Sequence, residues 1–190
     1  TGAGTDLSFV NTVVMKDDYA TGLALMSDVV RRPTFLQEEI DRQRQQALSG
    51  LKVAAEDPDS VAGMVIDRLI FGFHPYGMPG SGTPQSLQLL TRADFVDFHR
   101  THFVPNNALV AVVGDVSHAD AMAGIEKYFG DWKPGEVPAF NPIAPPEPTK
   151  RVVVIDRPDA VQTEIRVGHL GVPRTHADYD ALDQAVKILG

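Results

Sequence analysis

The chain has 190 residues, contains no cysteine, and carries a formal net charge of −8 at pH 7. Without cysteine it cannot form disulfides or thiolate metal sites. Its lysines and arginines are scattered, so we do not expect nucleic acid as a partner, because that affinity comes from clustered basic side chains. No apolar run reaches the roughly 20 residues that cross a bilayer, which predicts no transmembrane segment.

The first half of the chain predicts one strand, then three helices and a loop. Residues 7–15 are rich in Val, Phe and Thr, which is typical of a strand. Apolar residues at intervals of three and four predict helices over 19–30, 36–55 and 59–71. The Gly- and Pro-rich residues 72–84 predict a long surface loop.

The second half of the chain predicts both helices and strands. Thr91 and Ser117 are placed to cap helices over 92–102 and 117–129. Apolar or alternating patterns predict strands over 108–114, 151–156 and 161–169, and residues 176–189 predict a last helix. This order favours an α+β fold of layered sheet and helices.

Prolines divide the chain near residue 140. They disfavour both helix and central strand in residues 139–149. We therefore predict that 1–138 is the C-terminal part of a first domain, that 139–149 is a linker, and that 150–190 begins a second domain. The absence of an initial Met indicates a piece of a longer protein.

Two short motifs have ordinary structural explanations. His99 and His102 form an H-x-x-H pair on a predicted helix, but no third ligand is obvious nearby. We predict one exposed imidazole and one packed under the following turn, with no metal between them. The paired acids Glu38 and Glu39 lie in the first turn of a helix, where the helix dipole favours negative charge.

Three segments, in this order, carry a family resemblance. They read SDVVRRPTFLQEEIDRQRQQALSGL, FGFHPYGMPGSGTPQSLQLLTRADFVDFHRTHF and VPNNALVAVVGDVSHADAMAGIEKYFGDW. Together they resemble the pitrilysin and mitochondrial-processing-peptidase family of zinc metallopeptidases, the inverted zincins. The tail VQTEIRVGHLGVPRTHADYDALDQAVKILG resembles the start of the family's second domain.

The resemblance implies a fold of paired α+β domains, each a mostly antiparallel sheet backed by helices. It also implies a closed chamber for peptide substrates, built from related halves in one chain or in two subunits. In the active half, H-x-x-E-H and a later Glu on the long helix hold zinc. The chain has no H-x-x-E-H, which would lie upstream of residue 1.

The resemblance places the third zinc ligand of active members at Gly50. The long helix here reads EIDRQRQQALSG, and its last residue is glycine instead of glutamate. Because glycine has no side-chain donor atom, it cannot complete the site. We therefore assign no catalytic residue, metal ligand or cofactor to this segment, while zinc stays possible in the full-length protein or its partner.

These observations predict a non-catalytic partner half, a pseudo-enzyme that pairs with a related peptidase-family subunit or domain as a heterodimer would. One alternative is an active zinc metalloendopeptidase whose H-x-x-E-H motif lies upstream. Another is a structural subunit without a proteolytic role. For location, the family resemblance and the missing cysteine favour the bacterial periplasm, and a mitochondrial origin stays open.

The loop over 73–83 supplies the candidate substrate or chamber-rim residues His74, Tyr76 and Thr83. We expect His74 and Tyr76 to anchor one end of the loop by packing or hydrogen bonding. The alternative is a long connector that an aromatic side chain holds in place, with no contact to substrate.

Overall fold

The computed structural model describes residues 1–158 and 160–189. Contacts divide them into two compact units, one of residues 1–53 and 80–141 and the other of residues 54–79 and 142–190. Each unit is therefore assembled from two separate stretches of chain. Residues 139–149 contain neither helix nor strand, while a domain boundary within them stays a prediction.

Helices dominate the described residues. They are α1 (Tyr19–Arg31), α2 (Gln37–Glu56), α3 (Pro58–Phe71), α4 (Pro84–Leu89), α5 (Arg92–His102), α6 (His118–Phe129) and α7 (Tyr179–Leu189). Short 3-10 helices cover Lys16–Asp18, Pro75–Gly77 and Pro105–Asn107. The six predicted helices are confirmed, and α4 was not expected from the sequence. Within the described part of the chain, every helix is too short or too polar to cross a membrane.

The expectation of a mostly antiparallel sheet is wrong for the residues that the structure describes. Strand pairing there is confined to β1 (Gly2–Ala3) and β2 (Ser8–Phe9), which run antiparallel. The segments 108–114, 151–156 and 161–169 have no strand pairing. Their β-branched residues favour an extended backbone, but a strand also needs a hydrogen-bonded neighbour, and the described residues do not provide one.

In the first unit, α1 and α6 pack against each other. Leu23 of α1 and Phe129 of α6 are both buried. A Cβ atom at Gly124 would lie 2.7 Å from Leu23 Cδ1. Glycine at this position therefore allows the two helices to approach closely, since even a Cβ atom would require the Leu23 side chain to shift.

The C-terminal end of α6 is held by polar groups of α1. The backbone carbonyl of Tyr128 accepts a hydrogen bond from Ser27 Oγ at 2.9 Å and another from Arg31 Nη1. Arg31 Nη2 also lies 2.7 Å from Asp131 Oδ1. Because the last carbonyls of a helix have no partner within the helix, these contacts satisfy a group that would otherwise be exposed or unpaired.

The turn between α1 and α2 contains a residue in a left-handed conformation. Phe35 has a φ of 46°, which is uncommon for any residue but glycine. Arg92 stabilises this turn, because its Nε donates to the Phe35 carbonyl at 2.8 Å and its Nη2 donates to the Thr34 carbonyl at 3.1 Å. One guanidinium thus holds two consecutive carbonyls of the turn.

In the part of the chain that the structure describes, side chains cap the N-termini of four α-helices. Thr91 and Ser117 accept hydrogen bonds from the backbone three residues on, which confirms the caps predicted for α5 and α6. Thr83 caps α4 in a reciprocal arrangement with Ser86. Asp57 caps α3, whose first residue is Pro58 rather than the predicted Asp59. Proline suits the first position because that N–H has no helical partner.

In the second unit, α3 lies beside the extended residues 151–156 and 161–168. Arg166 forms an ion pair with Asp59, and Arg157 Nη1 donates to the Ala55 carbonyl at 2.8 Å. A Cβ atom at Gly168 would lie 3.1 Å from Ile70 Cδ1. An open cleft of about 1090 Å³ lies between the apolar side of α3 and these segments.

Candidate functional site

The family's third-ligand position, Gly50, lies on the exposed surface of α2. No atom outside the local chain lies within 4 Å of the place that a Cβ atom would occupy. The position therefore has room for a side chain, including a carboxylate, but the residue present offers no donor atom. The assignment of Gly50 to a zinc position rests on the resemblance and stays a prediction.

Several charged residues of α2 have partners nearby. Glu39 Oε2 lies 2.6 Å from Arg42 Nη2, one turn further along the helix. Arg44 pairs with Asp41 and also donates to the carbonyls of Leu87 and Leu90, at 2.9 and 2.7 Å. The Glu- and Arg-rich pattern of this helix thus stabilises α2 and fixes it to α4 and the residue that follows α4.

The H-x-x-H pair of α5 takes part in packing. The Nε2 atom of His99 lies 2.7 Å from the Val30 carbonyl oxygen, and its ring stacks on Phe103 with centroids 4.8 Å apart. His102 lies against Phe98, with centroids 4.6 Å apart. Both imidazoles are partly buried, so the prediction that one of them is exposed is wrong. Among the described residues, no cluster of three His, Asp or Glu side chains could hold a metal ion.

The start of the loop over 73–83 is held by an aromatic cluster. The His74 and Tyr76 rings meet edge to face with centroids 4.8 Å apart, and Tyr76 meets Phe71 in the same way at 5.5 Å. His74 Nδ1 also accepts a hydrogen bond from the Tyr76 backbone N–H at 3.2 Å. His74 and Tyr76 therefore anchor this end of the loop, as predicted, while their role at a chamber rim stays a prediction.

The backbone turn beneath this cluster depends on two glycines. Gly72 ends α3 with a φ of 58°, a conformation that favours glycine. Gly77 is buried, and a Cβ atom there would lie 2.5 Å from the Gly72 carbonyl oxygen. Since that oxygen belongs to the backbone, it cannot move aside as a flexible side chain can. The loop therefore has one closely defined path at this point.

Arg68 supports the same loop and was not singled out from the sequence. Its guanidinium carbon lies 4.0 Å from the centre of the Phe73 ring. Its Nη1 lies 2.9 Å from the Gly72 carbonyl oxygen and 3.0 Å from Met78 Sδ. An arginine in the last turn of a helix, followed by Gly-Phe, is the pattern that indicates such a contact, because basic groups there bind the last carbonyls.

Thr83, the third candidate of this loop, belongs to the first unit. Its hydroxyl accepts from the Ser86 backbone N–H at 3.1 Å, and its own N–H donates to Ser86 Oγ at 2.9 Å. This reciprocal cap starts α4 and gives Thr83 a structural role. A contact between Thr83 and substrate stays a prediction.

The side chains described above mainly stabilise the helices and the loop over 73–83. They comprise helix caps, an anchored aromatic loop and intrahelical ion pairs.

Comparison with known proteins identifies the family of the chain. Residues 89–190 match the family described as "Peptidase M16 inactive domain". A zinc protease of Mycobacterium tuberculosis is 29% identical over 161 residues, which cover 82% of this chain and 36% of that protein. The alpha-1 subunit of the mitochondrial-processing peptidase of Dictyostelium discoideum is 26% identical over 123 residues, or 64% of this chain and 19% of that protein. The chain thus spans about a third of the length of the zinc protease, and less of the subunit.

Solved structures of peptidases of this kind have a similar fold. A peptidase M16 inactive domain from Pseudomonas fluorescens superimposes with a TM-score of 0.64 and 28% identity, over 70% of this chain and 32% of that one. A protease from Helicobacter pylori gives a TM-score of 0.64 at 22% identity, covering 70% of this chain and 33% of that chain, and supports the fold alone. With more than half of its residues matched by the family description, the chain belongs to the M16 family of peptidases.

Proposed function

We propose that this chain is part of a non-catalytic half of an M16 peptidase, which pairs with a related half to form the wall of a peptide-binding chamber. The observation that carries the proposal is Gly50, an exposed helix position with room for a ligand and no atom to act as one. The match of residues 89–190 to the family's inactive domain also supports it.

The loop over 73–83 is the part of this segment best suited to line such a chamber. Its aromatic side chains are held by contacts with Phe71 and Arg68, so they present a fixed surface. A fixed surface binds a peptide without the entropy cost of ordering the loop. His74 and Tyr76 are the proposed rim residues, with Thr83 at the far end of the loop.

Zinc content and peptide cleavage test the proposal. The full-length protein is analysed for zinc and incubated with a fluorogenic peptide, both alone and with a zinc-binding subunit of the family. We expect less than a tenth of an equivalent of zinc as an order of magnitude, no cleavage alone, and faster cleavage when the subunit is added. Stoichiometric zinc together with cleavage by the protein alone would overturn the proposal.

The variants Gly50→Glu and Gly50→Ala refine this test. Both place a better helix former at the site, but only glutamate offers a carboxylate. If neither variant binds zinc, more than one ligand is missing, as we expect. If Gly50→Glu alone binds zinc and cleaves peptide, only one ligand has been lost from an otherwise complete site.

A second candidate, an active zinc metalloendopeptidase, is favoured by the names of relatives such as the mycobacterial zinc proteases. In that case a residue other than Gly50 supplies the third ligand. Removal of zinc with a chelator would then abolish cleavage by the protein alone, and readdition of zinc would restore it.

A further inference from the structure

We propose that residues 142–150 bind a partner domain of the SH3 type, which recognises polyproline II helices in a groove of aromatic side chains with carboxylates at one end. The segment reads PIAPPEPTK. Its last six residues have the pattern P-x-x-P-x-Lys, and P-x-x-P segments dock in aromatic-lined grooves of this kind. The cation that follows the second proline requires a negative charge on the partner.

The sequence restricts this segment to an extended helix. Four of its nine residues are proline, which fixes φ near about −65°, and a residue that precedes proline is disfavoured from the α-helical region. Residues 141–150 contain neither helix nor strand, and within the described part of the chain their backbone groups form no hydrogen bond to other backbone groups. A polyproline II helix has no internal hydrogen bonds, and this preformed shape reduces the entropy cost of binding.

The spacing of the prolines selects one frame for binding. A polyproline II helix has three residues per turn, so Pro142, Pro145 and Pro148 lie on one edge. The frame that begins at Pro142 has Glu147 two residues beyond its second proline, and a carboxylate there would be repelled by the acidic end of the groove. The frame that begins at Pro145 has Lys150 at the equivalent place. The second frame is therefore the one that fits such a partner.

The segment is accessible within the second unit. Residues 146–150 are exposed, and Pro145 is partly buried. A Cβ atom at Gly72 would lie 3.0 Å from Pro146 Cδ, so the segment rests on the backbone at the end of α3. That contact involves a residue between the two prolines of the frame, and Pro148 and Lys150 stay open to a partner.

The local charge also fits a partner that carries carboxylates. Between residues 137 and 155 the charged residues are Glu147, Lys150 and Arg151, in a chain whose formal net charge is −8. Arg151 Nε donates to Thr149 Oγ1 at 2.8 Å, which keeps a second cation beside the segment. Repulsion from the acidic remainder is largely screened beyond about 8 Å at physiological ionic strength. The inference does not depend on the proposed function.

An NMR titration tests the inference. The probes are isotopically labelled SH3 domains, each chosen because it binds P-x-x-P-x-Lys or P-x-x-P-x-Arg peptides, and the unlabelled full-length protein is added to them. We expect changes in chemical shift confined to the aromatic groove and its acidic end. The interface is small, so we expect a dissociation constant on the order of 10–100 µM.

Pro148→Ala and Pro142→Ala form a matched pair, because each removes one proline from the same edge and only Pro148 belongs to the frame that ends in Lys150. We expect Pro148→Ala to weaken binding at least about tenfold and Pro142→Ala to change the dissociation constant less than about threefold. Lys150→Glu should weaken binding to a similar extent, whereas Lys133→Glu makes the same change of charge at another exposed lysine and should have little effect. Thermal melts establish that each variant folds.

Three results would overturn the inference. The first is the absence of shift changes in every SH3 domain at millimolar protein, which would make the segment a spacer alone. The second is an equal loss of binding in Pro142→Ala and Pro148→Ala, which would show that the predicted frame is not selected. The third is binding that Lys150→Glu leaves unchanged, because the partner would then recognise proline without the cation.

Discussion

The hydroxyl of Ser27 lies 2.9 Å from the backbone carbonyl oxygen of Tyr128, and Ser27 is 1% exposed. This contact joins the middle of α1 to the last turn of α6. Arg31 shares the same carbonyl, so the oxygen keeps one donor when the hydroxyl is removed. The hydrogen bond therefore contributes to the packing of the two helices without being the only link.

Ser27→Ala is expected to lower the free energy of unfolding by about 1 kcal/mol, the typical net value of one hydrogen bond. Urea denaturation of the wild type and the variant measures the difference. Ser49→Ala, on the exposed surface of α2, is the control and should change stability by less than about 0.5 kcal/mol. Equal effects of the two substitutions would show that the contact with Tyr128 contributes nothing.

Gly77→Ala and Gly50→Ala are expected to change stability in opposite directions. A Cβ atom at Gly77 would lie 2.5 Å from a backbone oxygen, so alanine there should destabilise the protein by roughly 1–3 kcal/mol. A Cβ atom at Gly50 meets nothing within 4 Å, and alanine in a helix interior is about 1 kcal/mol more favourable than glycine. Thermal melts of both variants measure the signs. A stabilising Gly77→Ala would contradict the described path of the loop.

The cap of α3 is expected to depend on pH. Hydrogen bonds from the Ser60 hydroxyl and backbone N–H lower the pKa of Asp57 below the ordinary value, which is about 3.9. A group whose pKa is lower in the folded state stabilises the protein above its unfolded pKa and loses that contribution as the pH falls through the folded pKa. The Asp57 contribution is therefore complete above about pH 5 and declines below about pH 4.

Asp57→Asn provides the comparison, because asparagine caps helices about as well but does not titrate in this range. The difference in urea midpoint between wild type and variant should stay constant from pH 7 to about pH 5 and then shift against the wild type. A difference that is the same at pH 3 and pH 7 would show that the Asp57 pKa is not lowered by folding.

Arg92→Lys tests the support of the turn at Phe35. The guanidinium donates to two consecutive carbonyls, and an ammonium cannot reproduce this fork. We expect a loss of about 1 kcal/mol in the free energy of unfolding. Arg100→Lys is the control, since Arg100 is exposed and pairs with Asp97 on its own helix. A loss no larger than that of the control would mean that the turn does not depend on Arg92.

The helices could be predicted from the sequence because their determinants are local. Pro33 follows the end of α1, and Thr91 and Ser117 cap α5 and α6 within three residues. The sheet could not be predicted in this way. Segments such as 151–156 have the β-branched residues of a strand, but strand formation depends on a neighbour that composition does not reveal.

The contacts of the candidate site also fall into two groups, those that could be predicted from the sequence and those that could not. The anchoring of His74 and Tyr76 was predictable because it involves residues two to five positions apart along the chain. The contact of His99 with the Val30 carbonyl and the bond from Arg44 to Leu87 join residues far apart in sequence. Those partners are set by tertiary packing, so no local pattern indicated them.

The second unit is built from two separate pieces of chain, 54–79 and 142–190. Phe140, which is 75% exposed and precedes Asn141, offers chymotrypsin a cleavage site just before the second piece. After a single cut there, we expect residues 142–190 to stay attached, because the ion pair of Arg166 with Asp59 and the bond of Arg157 to Ala55 link the two pieces. The protein is thus a natural candidate for fragment complementation, in which two separately produced halves reassemble when mixed.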